Sequence, residues 1–347
     1  MAVVAPPVTP AVPTADPCKG PVTGFFAARC TAPLTAAQER GLKPKDTFRE
    51  CADCPEMVVV PAGSFTMGSP KDEGGRNDNE GPQHVVTIAR ALAVGKLHVT
   101  VDQFAAFTRD SLYGTNVAGC VTYAEGGKEE MRKDRSWGNT GFPQEGAHPV
   151  VCLSWEDAKA YVDWLAKSTG KPYRLLTEAE WEYAARGQTS PGAHPRFWFG
   201  SNVKDLCRYG NGLDKTAGYN IPGARDLSQL APCDDGYAYT APAGHYEPNA
   251  FGLYDMSGNA LQWTEDCFSD DYKGAPDNGS AFLTGFCGFG HVIRGGSWND
   301  NPRRLRVAQR EWARGPLVTV GFRVARALEV PGQSPQSSRP PDKKGAP

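Results

Sequence analysis

Arg294-Gly295-Gly296-Ser297-Trp298, continuing through Asn299-Asp300-Asn301 and answered downstream by Gly321-Phe322-Arg323-Val324, is the stretch on which the reading of this chain turns. Adjacent glycines let backbone approach backbone or ligand where a Cβ would collide, so the aromatic and polar residues behind them can face a cleft. Working outward, Gly252-Leu253-Tyr254-Asp255-Met256-Ser257-Gly258-Asn259-Ala260-Leu261-Gln262-Trp263 precedes it, and Thr177-Glu178-Ala179-Glu180-Trp181-Glu182-Tyr183-Ala184-Ala185-Arg186-Gly187 lies earlier still. Each segment is unspecific alone. Their combination and order are specific.

The chain has 347 residues, 40% hydrophobic and 22% charged, which suits a globular protein with a real core. A net charge of −2 and a pI near 6.3, with Lys and Arg scattered, offer no electrostatic footprint for nucleic acid or an anionic membrane. Thirty-nine glycines, twenty-nine prolines and eight tryptophans describe a loop-rich fold in which large aromatics supply burial. No stretch is long and apolar enough to span a bilayer. The ten cysteines fall into neighbouring pairs, Cys18/Cys30, Cys51/Cys54, Cys120/Cys152, Cys207/Cys233 and Cys267/Cys287. That spacing points to disulfides and an oxidising compartment, periplasmic or secreted, against the alternative of reduced buried thiols. A zinc site at Cys51-x-x-Cys54 lacks a second close ligand pair. Met1–Pro17 has no basic start and no uninterrupted apolar run, so it does not read as a signal peptide.

Residues 1–17 and the tail 329–347 are biased toward Pro, Ala, Ser and Lys and are expected to be disordered. Residues 18–55 read as a cysteine-strapped extension with a short helix at Thr35–Arg40, and 56–328 as one α+β domain. Within it, Met57–Gly63 is predicted as a strand, with Ser64–Gly68 as its hairpin partner and His84–Ala93 alternating after a polar loop. Thr100 with Gln103, Ser154 with Asp157 and Thr177 with Glu180 predict three box-capped helices, the last ending at Gly187. From Gly187 to Gly290 the sequence turns constantly, and a strand near Gly321–Ala327 closes the domain. Trp155, Trp164 and Trp181 fall on apolar helix faces and are expected in the core. His84 and His148 are expected to be structural, and the Lys128, Glu129, Glu130, Lys133 and Asp134 cluster to be a solvated face.

Taken together, Met57–Gly68, Val99–Phe104, His148-Pro149-Val150, Arg174–Glu182, Asn249–Tyr254, Gly258-Asn259, Arg294–Ser297 and Gly321-Phe322-Arg323 resemble the formylglycine-generating enzyme family, the sulfatase-modifying-factor domain, over roughly Glu56–Arg326. The resemblance implies a C-type-lectin-like core enlarged by long loops. Active members oxidise a sulfatase cysteine with copper, oxygen and two cysteines beyond the Arg-Gly-Gly-Ser turn, thiolates being soft ligands for Cu(I). Counted from Ser297, those positions carry Asp300 and Leu305, and no cysteine follows Cys287, so copper is not expected. The His-x-x-x-His-x-Glu run of related sulfoxide synthases is absent.

The resemblance also implies structural calcium (Ca2+) in oxygen cages. The positions matching a first site are Asn211, Gly212, Asp235 and Tyr237. Those matching a second are Asp255, Gly258, Ala260 and Gln262, with Gln262 standing where the family pattern has glutamate. Isolated Asx-turns are the bland alternative.

The cleft is expected to use Arg294, Ser297, Trp298, Asn299, Arg304, Arg310 and Trp312 as ligand contacts. Arg303, Arg304, Arg306 and Arg310 could grip a carboxylate or sulfate, or instead pair with Asp300, Glu311 and neighbouring acids. Three functions follow. The first is an exported protein that binds a peptide, protein or glycan without the copper site. The second is an oxidoreductase acting on a protein side chain or secondary metabolite, as some cysteine-lacking relatives do in siderophore maturation, with Asp300 and Glu311 as acid/base groups. The third is a lectin-like receptor tip with a variable C-terminal segment.

Overall fold

The computed structural model describes residues 32–115, 119–123, 128–187, 194–221, 229–284 and 287–329. Helices start where side chains can answer the orphan backbone N–H groups. Thr35 caps α1 (Ala36–Gly41), Thr100 caps α2 (Val101–Ser111), Ser154 caps α3 (Trp155–Thr169) and Thr177 caps α4 (Glu178–Arg186), each with a reciprocal box to the third residue. Gly170 ends α3 in the left-handed conformation that L side chains resist. Two short helices, α5 (Leu206–Tyr209) and α6 (Lys215–Asn220), interrupt the loop-rich middle. No described helix is long and apolar enough to cross a membrane.

The strands are β1 (Thr47–Phe48), β2 (Met57–Val60), β3 (Gly63–Met67), β4 (His84–Ile88), β5 (Leu92–Gly95), β6 (Cys120–Tyr123), β7 (Glu129–Arg132), β8 (Arg174–Leu175), β9 (Leu261–Cys267), β10 (His291–Arg294), β11 (Arg310–Ala313), β12 (Val320–Phe322) and β13 (Val324–Ala327). A five-stranded sheet runs β1-β2-β5-β13-β8, a four-stranded sheet β11-β10-β9-β12, and β3-β4 and β6-β7 form two ribbons. The continuous apolar run of β2 follows from burial on both faces. Met57 and Val59 join Phe104, Phe107 and Tyr161 of α2 and α3, while Val58 and Val60 join Trp181, Ala184 and Ala185 of α4. The extension before residue 56 contributes Leu34, Phe48 and Cys54 to the first of these clusters and β1 to the edge of the sheet.

Three expectations need correction. Met57–Val60 and Gly63–Met67 do not form a hairpin: β2 pairs with β1 and β5, and β3 pairs with β4 from Gly63↔Ile88 to Met67↔His84. Pro61 lacks the N–H that would continue the first strand, and the chain leaves one sheet for another there. The turn-rich middle contains β9, whose pairing with both β10 and β12 centres the four-stranded sheet. Last, the closing strand is two strands: β12 runs parallel to β9 and β13 runs antiparallel to β5 and β8.

Disulfides join Cys51–Cys54, Cys120–Cys152, Cys207–Cys233 and Cys267–Cys287, and no described cysteine is free. Cys18 and Cys30, the segment 1–17 and the tail beyond Glu329 lie outside the described residues. Trp181 is fully buried, while Trp155 and Trp164 are partly buried against the core. His148 is buried with Nδ1 at 3.0 Å from the Thr240 hydroxyl.

A cluster of buried ion pairs links α4 to β10, β11 and the loop around Glu80. Arg294 pairs with Glu182, and Glu182 also accepts from Arg186 at 2.7 Å and from the Gly68 N–H at 2.9 Å. Arg310 makes a two-point contact with Glu178 at 2.8 and 2.9 Å, and Arg306 a two-point contact with Glu80. Removing one member strands the other's charge in the interior. Glu182→Ala is therefore expected to cost about 3–5 kcal/mol of unfolding free energy in urea melts, whereas Lys273→Ala, on an exposed pair with Asp271, should leave the urea midpoint unchanged.

Candidate functional site

β10 delivers the Arg-Gly-Gly-Ser turn, and Arg294 fixes its start. The Arg294 guanidinium is fully buried, donates to the Ala308 and Gln309 carbonyls at 2.9 and 2.8 Å, and lies over the Trp181 ring with 5.2 Å to the centroid. Gly295 and Gly296 then adopt φ of 104° and 71°. A Cβ on Gly296 would stand 2.9 Å from the Arg304 carbonyl oxygen, so the turn passes where a side chain would not fit.

Beyond the glycines the chain closes on itself. The Ser297 N–H and hydroxyl both donate to Asp300 Oδ2, at 3.0 and 2.7 Å, and Asp300 Oδ1 accepts from Arg304 Nη1 at 3.1 Å. Arg304 also reaches Glu311 from Nε at 3.1 Å. Asp300 and Glu311 are thus brought together, but through a guanidinium that answers both. Burial opposes the Arg304 charge, yet the two carboxylates outweigh it and hold its pKa above the ordinary value. The Tyr123 hydroxyl is pushed up to about 12, first by burial and then by the Asp300 carboxylate, with Glu129 and Glu311 adding to the field. Tyr123 carries no motif; the pairing of β6 with β7, the bridge from Val121 to Leu317 and the Cys120–Cys152 disulfide bring it here. Leu305 is fully buried among Phe197, Leu206 and Ala231.

The expected ligand contacts separate into two groups. Arg304, with a side chain 42% exposed, borders the surface, with Asn299 half-buried beside it. Arg294 and Arg310 do not: both are buried and paired with Glu182, Glu178 and backbone carbonyls, so the expectation that they meet a ligand is corrected. Trp298 is buried, edge-on to Phe142 and Tyr239 with centroids 5.4 and 5.0 Å away. Trp312 is exposed on β11, 5.9 Å from the Phe268 ring. Phe142 also lines a groove of 530 Å3 bounded by Val101, Arg135, Trp137, Asn139 and Gln144. Arginine, amides and aromatic rings give it a mixed polar and apolar wall.

Two groups of oxygens match the cage positions. In the first, Asn211 Oδ1 and Asp235 Oδ2 are buried without a protein partner, and Asp214 lies beside Asp235. Burial, then the Asp214 charge, pushes the Asp235 carboxyl up to about 7. Carboxylate and amide oxygens of this kind are the donor set a hard cation needs, so these residues fit calcium. The nearby Cys207 sulfur is bound to Cys233 and is no thiolate. In the second group Asp255 Oδ2 accepts from the Gly244 N–H at 2.8 Å, the Ala260 carbonyl accepts from His98 at 2.8 Å, and Gln262 is tied to Trp181 and Arg323. That donor set does not fit calcium. His98, fully buried and with its pKa lowered to about 3 by burial and then Arg323, was not singled out by the sequence.

Comparison with known proteins agrees with this framework. Residues 43–328 match the family described as the sulfatase-modifying factor enzyme 1-like domain. The formylglycine-generating enzyme of Streptomyces coelicolor is 32% identical over 283 residues, covering 73% of this chain and 83% of that protein. The inactive C-alpha-formylglycine-generating enzyme 2 of Mus musculus is 28% identical over 288 residues, covering 75% and 81%. Among solved structures, PvdO from Pseudomonas aeruginosa superposes with a TM-score of 0.64 at 36% identity, covering 83% of this chain and all of that one. The α+β architecture described above is the fold of this group.

The turn gives a direct test. Gly296→Ala forces an L residue into the left-handed region against the Arg304 carbonyl and should cost about 1–3 kcal/mol in chemical denaturation. Gly315→Ala, at a position with open space around it, should stay within about 0.5 kcal/mol of the parent.

Proposed function

Because the chain belongs to the sulfatase-modifying factor enzyme 1-like domain family, we propose that it is a formylglycine-generating-enzyme-like protein without the copper-thiolate site, binding a peptide, protein or glycan in an exported compartment. The observation that carries this reading is the state of Asp300 and Leu305. The Asp300 carboxylate is committed to Ser297 and Arg304, and the Leu305 side chain is sealed in a hydrophobic cluster. Neither offers a soft donor to Cu(I). The half-exposed Arg304 and the groove beside Phe142 supply hydrogen-bond donors and aromatic faces for a polar ligand. Four disulfides agree with an oxidising compartment.

The same reading assigns structural calcium to Asn211 and Asp235, joined by the Gly212 and Tyr237 carbonyls. The cation would neutralise a buried carboxylate that burial otherwise disfavours, and tie the Cys207–Cys233 loop to the segment before β9.

A second reading, an oxidoreductase acting on a protein side chain or secondary metabolite, draws on the phenol of Tyr123 lying among Asp300, Glu311 and Thr319. In that case those groups would handle protons.

Two experiments separate these. Purified protein supplied with copper, oxygen and a Cys-x-Pro-x-Arg peptide should yield no hydrazine-reactive aldehyde by mass spectrometry; aldehyde formation would restore the copper chemistry. In a strain that needs the protein, Asp300→Ala, Glu311→Ala and Tyr123→Phe should all leave metabolite profiles unchanged under the binding reading, and any of them abolishing a product would favour the enzyme. For calcium, chelation should lower the melting temperature, and calcium at a hundredfold excess over its Kd should restore about 2.7 kcal/mol. Asp235→Asn should melt at the chelated temperature with no response to calcium.

A further inference from the structure

Gln262 turns the wrong end of its amide toward the cage framed by Asp255, Gly258 and Ala260. Its Oε1 accepts from the Trp181 indole Nε1 at 2.8 Å and from Arg323 Nε at 3.0 Å. Both partners are donors only, so the amide orientation is dictated by chemistry. What remains is the NH2 group, which donates to the Asp255 carbonyl at 3.3 Å. A glutamate in this place could satisfy Trp181 and Arg323 with one oxygen and still turn the other inward; an amide cannot.

Two of the other oxygens are also engaged, Asp255 Oδ2 by the Gly244 N–H at 2.8 Å and the Ala260 carbonyl by a histidine. The Ala260 carbonyl accepts from His98 Nε2 at 2.8 Å. Because a carbonyl cannot donate, that nitrogen carries the proton, and Nδ1 faces Asp255 Oδ2 at 3.9 Å, too far for a hydrogen bond. The guanidinium of Arg323 is fully buried alongside and donates to the Gly95 and Tyr254 carbonyls, each at 2.6 Å. Of the side-chain oxygens on Asp255 and Gln262, only Asp255 Oδ1 is left without a protein partner, with the Ser257 hydroxyl on the same loop also unpaired. Calcium takes about six to eight oxygens, whereas here an N–H pair, an imidazole and a fixed positive charge surround one free carboxylate oxygen.

We infer that this second cage binds no calcium, that Arg323 supplies the positive charge the Asp255 carboxylate requires, and that the chain carries a single calcium at Asn211 and Asp235. The count of one rests on the calcium reading of the first cage; the exclusion from the second does not.

The test is to count calcium per chain by atomic emission after equilibration with calcium chloride and gel filtration, using the full chain and two isosteric variants checked for native far-UV and near-UV spectra. Expected values are one for the parent, none for Asp235→Asn and one for Asp255→Asn. Two equivalents in the parent, or loss of the bound equivalent in Asp255→Asn, overturns the inference. No calcium in the parent would withdraw the first-cage reading and leave the exclusion from the second upheld. Should Asp255→Asn fail to fold, the parent and Asp235→Asn decide: calcium retained by Asp235→Asn overturns the inference.

Discussion

A guanidinium removed from water must be answered by a carboxylate at the same depth, and the contact between Arg294 and Glu182 is where that demand organises the molecule. Glu182 sits on α4 beside Trp181, whose ring underlies the guanidinium and whose indole N–H reaches Gln262 on β9. Arg294 in turn holds the carbonyls of Val307, Ala308 and Gln309, so the chain after the double-glycine turn is drawn back onto the helix. Two of the stretches that carry the family resemblance, Arg174–Glu182 and Arg294–Ser297, meet in this one buried charge cluster. Leaving either charge unpaired costs several times what an exposed pair contributes.

Much of the fold was legible because it is written locally. Thr100 with Gln103, Ser154 with Asp157 and Thr177 with Glu180 each satisfy two backbone donors within four residues, and each begins a helix. What escaped depends on partners far away. Leu261-Gln262-Trp263-Thr264 sits amid glycines and asparagines, and it becomes a strand because β10 and β12 flank it. Met57–Val60 and Gly63–Met67 look like a hairpin from inside the sequence, yet each finds its partners elsewhere.

The candidate site was legible in position and less so in orientation. Asp300 and Glu311 do converge, through Arg304, and Tyr123 joins them from a ribbon that no motif announces. The arginine-rich run after Trp298 reads equally well as an anion grip or as internal pairing. Burial divides it: Arg306 and Arg310 belong to Glu80 and Glu178, whereas Arg303 and Arg304 retain substantial exposure. Sequence states which residues are charged, but whether the charge faces outward depends on acids supplied from residues 73–80 and from α4.

β12 and β13 are separated by a single residue, Arg323, yet belong to different sheets. In the five-stranded sheet β8 is joined only through β13, and in the four-stranded sheet β12 completes the edge on β9. A ribosome making this chain must therefore release Val320–Ala327 before either sheet can close. Until then β8 lacks its neighbour and β9 lacks one of its two partners. Assembly of the domain is in consequence a late event that completes both sheets together, and a nascent chain halted before Val324 holds exposed strand edges that only chaperones or its own last turn can cover.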